Sequence, residues 1–321
     1  MSPESSKTRV IAAWEITRRC PLKCRHCRGA ARDCDYADEL STAECFRFID
    51  ALADFGPAMI ILTGGEPLAR ADVYELAQYA EQRGCRVVLA TCGHMLSLPV
   101  AQRLKDCGVM AVSVSIDSPD PRRHDEFRGV PGSFGKTLMG LHCLKRVGLP
   151  FQINTTVSTL NVDRLPDMLG LAIELGAAAL DLFFLVPTGR GSEIAALELD
   201  QQRRDEALAW IAAQARTAPI RVKTTCAPQY KRFIHEDAVS PTRFRGCMGG
   251  RGFVFVSHTG RLQPCGFLDV AAGDLRAADF DFARLYREAE VFRNMRRLDP
   301  FAGCPARAYA RTGDYMQKEN R

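Results

Sequence analysis

The feature of this sequence that most constrains its fold is a repeat marked by glycines. Five times a helix-like segment reaches a Gly and a short apolar run follows, the glycines being Gly56, Gly84, Gly108, Gly148 and Gly176. Gly adopts a left-handed backbone conformation without a Cβ penalty, so each of these residues is predicted to end a helix. The runs that follow, such as "CRVVLAT" and "LPFQINT", are typical of strands buried on both faces of a sheet.

Helix start signals agree with these stops. Ser41 with Glu44 is predicted to form a capping box before "CFRFIDALADF". Asp72 with Glu75 gives a similar pattern before "LAQYAEQ". With "VIAAWEI" at the front, six predicted strands alternate with helices, which indicates an α/β fold with a parallel sheet, either open and doubly wound or barrel-like. In both arrangements the chemistry belongs in the loops at the carboxyl ends of the strands.

The glycine repeat does not continue to the end of the chain. Near Ala218 and Pro219 it gives way to short strands, turns such as "SHTGR" and further cysteines. We therefore predict a polar tail at residues 1–10, a core domain at 11–218 and a small α+β domain at 219–321.

Composition narrows the class of protein. No apolar run in the 321 residues approaches the roughly 18 residues of a membrane span. The first nine residues, "MSPESSKTR", are polar and unlike a signal peptide, so we expect a cytoplasmic protein. The net charge of +5 is spread along the chain, which argues against a nucleic-acid-binding arm. Thirteen cysteines in a reducing compartment serve packing, metal ligation or redox chemistry.

Three of these cysteines directly follow the first predicted strand. Cys20, Cys24 and Cys27, called the triplet below, stand in "CPLKCRHC" and can direct three thiolates at one cubane iron–sulfur cluster, leaving its fourth iron open. The alternatives are a zinc site with His26 as a neighbouring ligand, or simple buried thiols. Zinc ligands usually come as two pairs separated by a longer stretch, and no second pair matches the triplet in that way.

The triplet and the motifs at later strand ends resemble the radical S-adenosylmethionine (SAM) enzymes. These motifs are "LTGGEP" on the second strand, "SVSIDSPD" and "HDEFRG" on and after the fourth, "QINTTV" on the fifth and "LVPTGRG" after the sixth. The resemblance implies a partial (β/α)6 barrel, with the triplet holding a 4Fe-4S cluster whose open iron binds SAM. It also implies that reductive cleavage of SAM gives a 5′-deoxyadenosyl radical, which takes hydrogen from the substrate.

The resemblance also implies which residues contact the cofactor. Taken singly, a polar residue at a strand end fits a hydrogen bond or a helix cap equally well, and only the set favours a cofactor site. The implied cofactor-binding residues are His26, Gly64, Gly65, Glu66, Pro67, Ser115, Asp117, Arg128, Asn154 and Val186.

A second group of cysteines lies in the C-terminal region. "CMGGRGFVFVSHTGRLQPC" runs from Cys247 to Cys265 around a Gly-centred hairpin, which can bring two thiolates towards one metal. The stretch looks like the opening of the SPASM or twitch extension of radical SAM enzymes, which binds an auxiliary iron–sulfur cluster. The region is short of cysteines compared with that pattern, so we expect one auxiliary cluster at most, on Cys247, Cys265, Cys304 and Cys226. The alternative is a set of unrelated core cysteines.

The resemblance extends to the radical SAM enzymes of the siroheme-dependent route to haem. It implies oxidative decarboxylation of the propionates of iron-coproporphyrin III, an anionic tetrapyrrole, with a flavodoxin or ferredoxin as electron donor. Three arginines are candidates to pair with the propionates, namely Arg190, Arg307 and Arg311.

Three alternatives stay open at this point. One is removal of acetate side chains from didecarboxysiroheme, and another is a decarboxylase or peptide maturase of a natural-product pathway. The third, from a different class, is a non-catalytic iron–sulfur electron carrier or a degenerate partner subunit. We expect the other cysteines to pack in the core, namely Cys34, Cys45, Cys85, Cys92, Cys107 and Cys143.

Overall fold

The structure is a computed structural model that describes residues 9–234 and 244–317. Of the predicted polar tail, residues 1–8 lie outside the described residues. The strands are β1 Val10–Thr17, β2 Ala58–Gly64, β3 Arg86–Thr91, β4 Val109–Ser115, β5 Phe151–Val157, β6 Ala179–Phe184, β7 Arg221–Thr225, β8 Phe253–Val256, β9 Arg261–Gln263 and β10 Gly273–Asp274.

Helices follow most of the strands. They are α1 Thr42–Phe55, α2 Val73–Gln82, α3 Leu98–Asp106, α4 Pro121–Arg128, α5 Ser133–Val147, α6 Leu165–Leu175, α7 Gln201–Thr217, α8 Phe282–Glu288, α9 Glu290–Arg297 and α10 Pro305–Thr312. Short 3₁₀ helices lie at Pro67–Ala69, Val162–Arg164, Gly189–Leu197 and Pro228–Arg232. Among the residues that the structure describes, no helix combines the length and the apolar character needed to cross a lipid bilayer.

The strands form one sheet, in the order β10-β9-β8-β1-β2-β3-β4-β5-β6-β7. Strands β1 to β7 are parallel and stand in chain order, each beside its successor. A doubly wound sheet reverses its strand order at a switch point, whereas a barrel-like sheet adds strands in sequence. The sequential order therefore confirms the α/β fold and selects the barrel-like alternative.

The region after the predicted boundary at residues 218 and 219 adds strands to both edges of this sheet. β7 continues the parallel order beside β6, and β8 pairs in parallel with β1 at the other edge. β9 and β10 then follow in antiparallel pairs. The C-terminal region thus contributes strands to both edges of the sheet. The domain boundary itself stays a prediction.

Burial alternates along the central strands. In β5, for example, Phe151, Ile153 and Val157 are buried, whereas the alternate residues Gln152 and Asn154 are partly exposed. β2, β3 and β4 show the same alternation. The prediction of burial on both faces was therefore wrong for these strands, because one face packs under the helices and the other lines the open inside of the barrel. A ligand can reach that inner face.

The predicted helix stops are confirmed at four positions. Gly84, Gly108, Gly148 and Gly176 have φ between 68° and 85° at the ends of α2, α3, α5 and α6. Gly56 also ends its helix, but with φ 155° and ψ −169° it lies outside the left-handed helical region, in another positive-φ region that favours Gly.

The two predicted capping boxes have different outcomes. Ser41 and Glu44 form the reciprocal hydrogen bonds of a capping box at the start of α1. Asp72 precedes α2 but makes no side-chain cap, so the prediction there was wrong. Its carboxylate instead accepts bonds from Arg70 at 2.6 Å and from Thr42 Oγ1 at 2.6 Å, and it is not available to the helix.

Aromatic residues connect the C-terminal region to the barrel. Trp14 of β1 is wholly buried and packs edge-on against Phe48 of α1, with ring centroids 5.0 Å apart. Phe48 in turn contacts Phe282 of α8, at 6.2 Å between centroids. These contacts hold α8 against α1 and leave the strand ends free for the functional site.

Candidate functional site

The triplet lies in a loop, residues 18–32, that leaves the carboxyl end of β1. Cys20 and Cys24 are buried and Cys27 is half-buried. The three pack in a small apolar cluster that also contains Cys92, at the end of β3. The loop therefore brings the three sulfurs together, as the resemblance implies.

Each sulfur of the triplet has a hydrogen-bond donor. The backbone N–H of Leu22 lies 3.5 Å from Cys20 Sγ, and that of Ala31 lies 3.4 Å from Cys27 Sγ. The guanidinium of Arg128 donates to the remaining sulfur at 3.7 Å. Hydrogen bonds to sulfur stabilise thiolate charge and tune iron–sulfur clusters, so this donor set fits a cluster site.

The thiols themselves resist ionisation without a metal. The pKa of Cys20 is raised to about 12, chiefly by burial and to a smaller extent by the nearby Glu66 carboxylate and the other two thiols. Burial likewise raises the pKa of Cys24, although Arg128 lowers it. Bound iron would reverse this balance, because a metal ion supplies the positive charge that thiolates lack here.

In the described parts of the chain, no group of three or more His, Cys, Asp or Glu side chains is arranged to hold a single metal ion. A cubane cluster makes a different demand, because its ligand sulfurs surround four irons and stand further apart than the ligands of one ion. The result for a single ion therefore does not bear on a cubane cluster at the triplet.

The motif "LTGGEP" packs directly against the triplet loop. A Cβ at Gly64 would overlap the carbonyl oxygen of Thr17, and one at Gly65 would overlap those of Arg18 and Arg19. Gly65 N–H donates to Thr17 O at 2.8 Å. Gly64 and Gly65 are predicted from the sequence to bind the cofactor. In the structure, the lack of side chains is required by contact between β2 and the loop.

Glu66 ties the end of β2 to the end of β3. Its carboxylate is fully buried and accepts bonds from Thr91 Oγ1, at 2.8 Å to each oxygen, and from the Cys92 N–H at 2.8 Å. Burial raises its pKa, against the lowering effect of these donors. Pro67 follows at the start of a 3₁₀ turn and is buried as well. The contacts of both residues with a cofactor stay predictions.

Arg128 and Asp117 form a buried ion pair beside the triplet. Arg128 Nε lies 2.7 Å from Asp117 Oδ2, with the two side chains 8% and 2% exposed. Thr156 N–H donates to Asp117 Oδ1 at 2.8 Å. Although burial alone would raise it, the pKa of Asp117 is lowered, chiefly because of Arg128. Both groups are therefore charged, and Arg128 is held where it reaches Cys24.

His26 stacks on Phe127 of α4, with ring centroids 4.5 Å apart and planes inclined by 13°. Desolvation lowers its pKa to about 4, so the ring is neutral near pH 7. Its Nδ1 is buried and has no hydrogen-bond partner among the described residues. A buried polar atom of this kind calls for a partner, and a bound ligand would supply one.

Ser115 and Asn154 begin a polar row across the inner face of the sheet. They are register partners on β4 and β5, and the row continues through Asp181 on β6 and Lys223 on β7. Lys223 Nζ lies 3.0 Å from Asp181 Oδ2. The sequence does not reveal this pair, since "ALDLFF" and "RVKTT" carry no motif and the second segment was not predicted as a strand of the parallel sheet.

The loop after β6 holds the triplet loop in place. Arg190 Nε donates to Cys24 O at 2.9 Å, and its Nη1 donates to Ala31 O at 2.8 Å. Its backbone N–H donates to Cys27 O at 3.0 Å. Val186, one of the predicted cofactor-binding residues, is buried and packs with the C-terminal cysteines.

The three arginines offered for the propionates are occupied. Arg190 binds carbonyl groups of the triplet loop, as described above. Arg307 is buried and pairs with Glu198 at 3.0 Å, and Arg311 pairs with the same carboxylate at 2.8 Å. Each already has a partner within this chain, and their assignment to a substrate stays a prediction.

The four C-terminal candidate cysteines converge. Cys226, Cys247, Cys265 and Cys304, called the quartet below, lie in or against one apolar cluster. Burial, together with the nearby thiol of Cys304, raises the pKa of Cys247 to about 11 and that of Cys265 to about 12. Cys226 has φ 61°, a strained value for a residue with a side chain. Its placement beside the others is thus maintained by the surrounding structure.

The quartet draws on both edges of the sheet. Cys226 follows β7, Cys265 follows β9 and Cys304 precedes α10. The backbone N–H of Phe267 lies 3.4 Å from Cys265 Sγ. All thirteen cysteines are free thiols, and the ones expected to pack are mostly buried, with Cys34 exposed.

Comparison with known proteins places this chain. Residues 14–172 match the Radical SAM superfamily. The AdoMet-dependent heme synthase of Methanosarcina barkeri is 42% identical, over 96% of this chain and 95% of that protein. The protein of the same name from Nitratidesulfovibrio vulgaris is 40% identical, over 98% and 92%.

A solved structure agrees on the fold. The structure of native anSMEcpe with bound AdoMet and Cp18Cys peptide superposes with a TM-score of 0.73, at 15% identity, over 95% of this chain and 93% of that one. Membership of the superfamily implies SAM and a 4Fe-4S cluster. The chain belongs to the radical SAM superfamily and, within it, to the family of the AdoMet-dependent heme synthases.

Proposed function

We propose that this enzyme converts iron-coproporphyrin III to haem by oxidative decarboxylation of two propionates to vinyl groups. The observation that carries the proposal is sequence identity of 40% or more, along nearly the whole chain, to proteins named AdoMet-dependent heme synthase. The alternative of acetate removal has less support, because the Fe-coproporphyrin III synthase of Methanosarcina barkeri is 36% identical over only 66% of this chain. A PqqA peptide cyclase is 27% identical, which disfavours a peptide maturase.

In this proposal the triplet binds the cluster that takes up SAM. Cys20, Cys24 and Cys27 would be the ligands, and one donor for each sulfur would stabilise the thiolates. Bound there, the cluster and SAM supply an electron and a 5′-deoxyadenosyl radical that takes hydrogen from the substrate. We assign the SAM contacts to the strand-end residues described above, namely His26, Gly64, Gly65, Glu66, Pro67, Ser115, Asp117, Arg128, Asn154 and Val186.

The chain itself contributes binding, orientation and exclusion of water. Arg128 balances thiolate charge while Asp117 fixes its position. The neutral ring of His26 offers an unpaired Nδ1 to a ligand at the site. The apolar packing of Cys20 and Cys24 keeps solvent from their sulfurs.

The quartet would hold one auxiliary iron–sulfur cluster. The four thiols lie in or against one apolar cluster of side chains, and neighbouring thiols raise the pKa of Cys226, Cys247 and Cys265. Four cysteine thiolates at one place are a ligand set that suits an iron–sulfur cluster. A second cluster would supply an acceptor for the electron that an oxidative decarboxylation releases. A flavodoxin or ferredoxin would reduce the first cluster.

Mass spectrometry tests the proposed activity. Reconstituted, reduced protein is incubated with SAM and either iron-coproporphyrin III or didecarboxysiroheme, and Cys24→Ala protein serves as the inactive control. We expect iron-coproporphyrin III to lose mass in two successive steps, each equal to one carbon dioxide and two hydrogen atoms. Didecarboxysiroheme should not change. Loss of acetate groups from didecarboxysiroheme, or no conversion of either, would overturn the proposal.

A further inference from the structure

Arg28, the residue after Cys27, has a guanidinium with little to bind. It lies over the ring of Phe255 on β8, 4.2 Å from the ring centroid. Its closest carboxylate among the described residues is Glu15, at 3.7 Å between Arg28 Nη2 and Glu15 Oε1. That separation is too long for a hydrogen bond, so the donors of this guanidinium are not used by the described chain.

Glu15 is shared between Arg28 and a second arginine. Arg18 binds it through two bonds, of 3.0 Å to Oε1 and 3.1 Å to Oε2. His258 Nδ1 lies a further 3.7 Å from the same carboxylate. Two guanidinium groups therefore share one buried carboxylate, and the group carries an excess positive charge that favours an anion.

The location of Arg28 relates it to both groups of cysteines. Arg28 directly follows Cys27 of the triplet in the sequence. Gly266, the residue after Cys265, packs against its side chain, because a Cβ added at Gly266 would lie 3.2 Å from Arg28 Cδ. The side chain is 20% exposed, whereas Glu15 and Phe255 are buried. Arg28 therefore keeps accessible surface next to Cys27 and Gly266, and a molecule that contacts it there lies near both the triplet and the quartet.

We propose that Arg28 binds a carboxylate of the substrate and so positions it between the triplet and the quartet. The inference rests on the proposed function, and it identifies the carboxylate as one propionate of the porphyrin. A guanidinium presents paired donors that match both oxygens of a carboxylate. Stacking on Phe255 fixes its plane in advance, which lowers the entropy lost on binding.

Binding titrations test this assignment. Wild type, Arg28→Gln, Arg28→Lys and the control Arg25→Gln are reconstituted and compared at equal iron and sulfide content. Arg25 is an exposed arginine of the same loop. Each protein is titrated, by visible absorption, with iron-coproporphyrin III and with its tetramethyl ester, which has the same ring and no carboxylates.

We expect Arg28→Gln to raise the Kd for the free acid by about 10- to 100-fold, the loss expected for one charge-assisted pair. Arg28→Lys, which keeps the charge without the paired donors, should fall in between, and Arg25→Gln should match wild type. The preference for acid over ester should also shrink in Arg28→Gln, a change that a merely structural role would not produce.

The outcomes separate the two proposals. A wild type that binds and converts iron-coproporphyrin III, with Arg28→Gln equally tight or equally selective for acid over ester, overturns the role of Arg28 alone. A wild type that neither binds nor converts this porphyrin overturns the proposed function and the inference with it.

Discussion

The triplet and the quartet each have a buried arginine beside their cysteines, but the two arginines bind different atoms. Arg128 pairs with Asp117 at 2.7 Å and donates to a sulfur of the triplet at 3.7 Å. Arg307 pairs with Glu198 at 3.0 Å and donates to the carbonyl oxygen of Cys226 at 3.3 Å. The first arginine thus acts on the charge of a thiolate, and the second acts on the path of the backbone.

This difference corresponds to how each group of cysteines is assembled. The triplet lies within eight consecutive residues, and its three sulfurs each have a donor within the surrounding structure. The quartet comes from segments spread between residues 226 and 304, brought together by packing at both sheet edges. At the triplet, a buried arginine can therefore act on the charge of a ligand sulfur. At the quartet, whose cysteines come from distant segments, the buried arginine instead holds the backbone that carries one of them.

Loss of a triplet ligand should have the largest effect. Cys24→Ala removes one of three ligands and the sulfur that Arg128 contacts, so we expect 5′-deoxyadenosine formation to fall to background. The measurement is chromatography of the products of anaerobically reduced protein with SAM. Cys34→Ala, at an exposed cysteine of the following segment, should retain the wild-type rate. Wild-type turnover by the Cys24→Ala protein would contradict the assignment of the triplet.

Breaking the buried pair at the triplet should have the next largest effect. Asp117→Asn leaves the Arg128 charge buried without its partner, which typically costs about 3–5 kcal/mol in the free energy of unfolding. Urea unfolding of wild type and variant measures the difference. Glu126→Gln, which breaks the exposed pair of Arg122 and Glu126 on the same helix, should change stability by at most about 1 kcal/mol. Equal losses for the two variants would rule out a special role for the buried pair.

A pH titration examines the carboxylate that both regions share. Glu15 is contacted by Arg18 and Arg28 of the triplet loop and by His258 of the C-terminal region. Burial would raise its pKa, but these partners lower it from 4.5 to about 2. The unfolded state therefore binds a proton at higher pH than the folded state does.

The stability due to Glu15 should accordingly be complete above pH 4.5 and be lost as the pH falls towards 2. By linkage the difference is about 3 kcal/mol across that window, since one pKa unit corresponds to about 1.4 kcal/mol. Urea unfolding at a series of pH values should show a smaller acid loss in Glu15→Gln than in wild type. Parallel pH curves for the two proteins would show that Glu15 does not link the regions.

The corresponding change at the quartet should have a smaller effect than the one at the triplet. Glu198→Gln removes the carboxylate partner of Arg307, yet that guanidinium keeps the carbonyl oxygens of Leu185 and Cys226. We expect a loss of about 1–3 kcal/mol, the range for a hydrogen bond to a charged group, with SAM cleavage retained. A loss as large as that of Asp117→Asn would remove the distinction between the two arginines.

The sequence predicted what depends on local spacing. Six alternating strands, four left-handed helix stops and the Ser41 capping box are all read from neighbouring residues, and the structure confirms them. The cap at Asp72 was wrong because Arg70 and Thr42 compete for the same carboxylate. β7 was not recognised as part of the sheet, since its pairing partner on β6 lies about 40 residues earlier.

The candidate site shows the same division. The spacing of the triplet is visible in eight residues, but the groups that support it come from far along the chain, such as Arg190, which binds Cys24 O across 166 residues. Arg28 has no distinguishing local pattern, and only the folded chain shows its place beside Phe255 and Glu15. The partners of Arg307, Glu198 and the carbonyl oxygen of Cys226, lie far from it along the chain, so the sequence could not show them.

The central claim is that the triplet alone holds the cluster that binds SAM, and a count of clusters in wild type and Cys247→Ala tests it most directly. Iron and sulfide are measured together with EPR spectra of the reduced proteins, with and without SAM. We predict two cluster signals in wild type, one of which SAM alters, and loss in Cys247→Ala of only the signal that SAM leaves unchanged. Loss of the SAM-responsive signal in Cys247→Ala, or no response to SAM in wild type, would contradict the account.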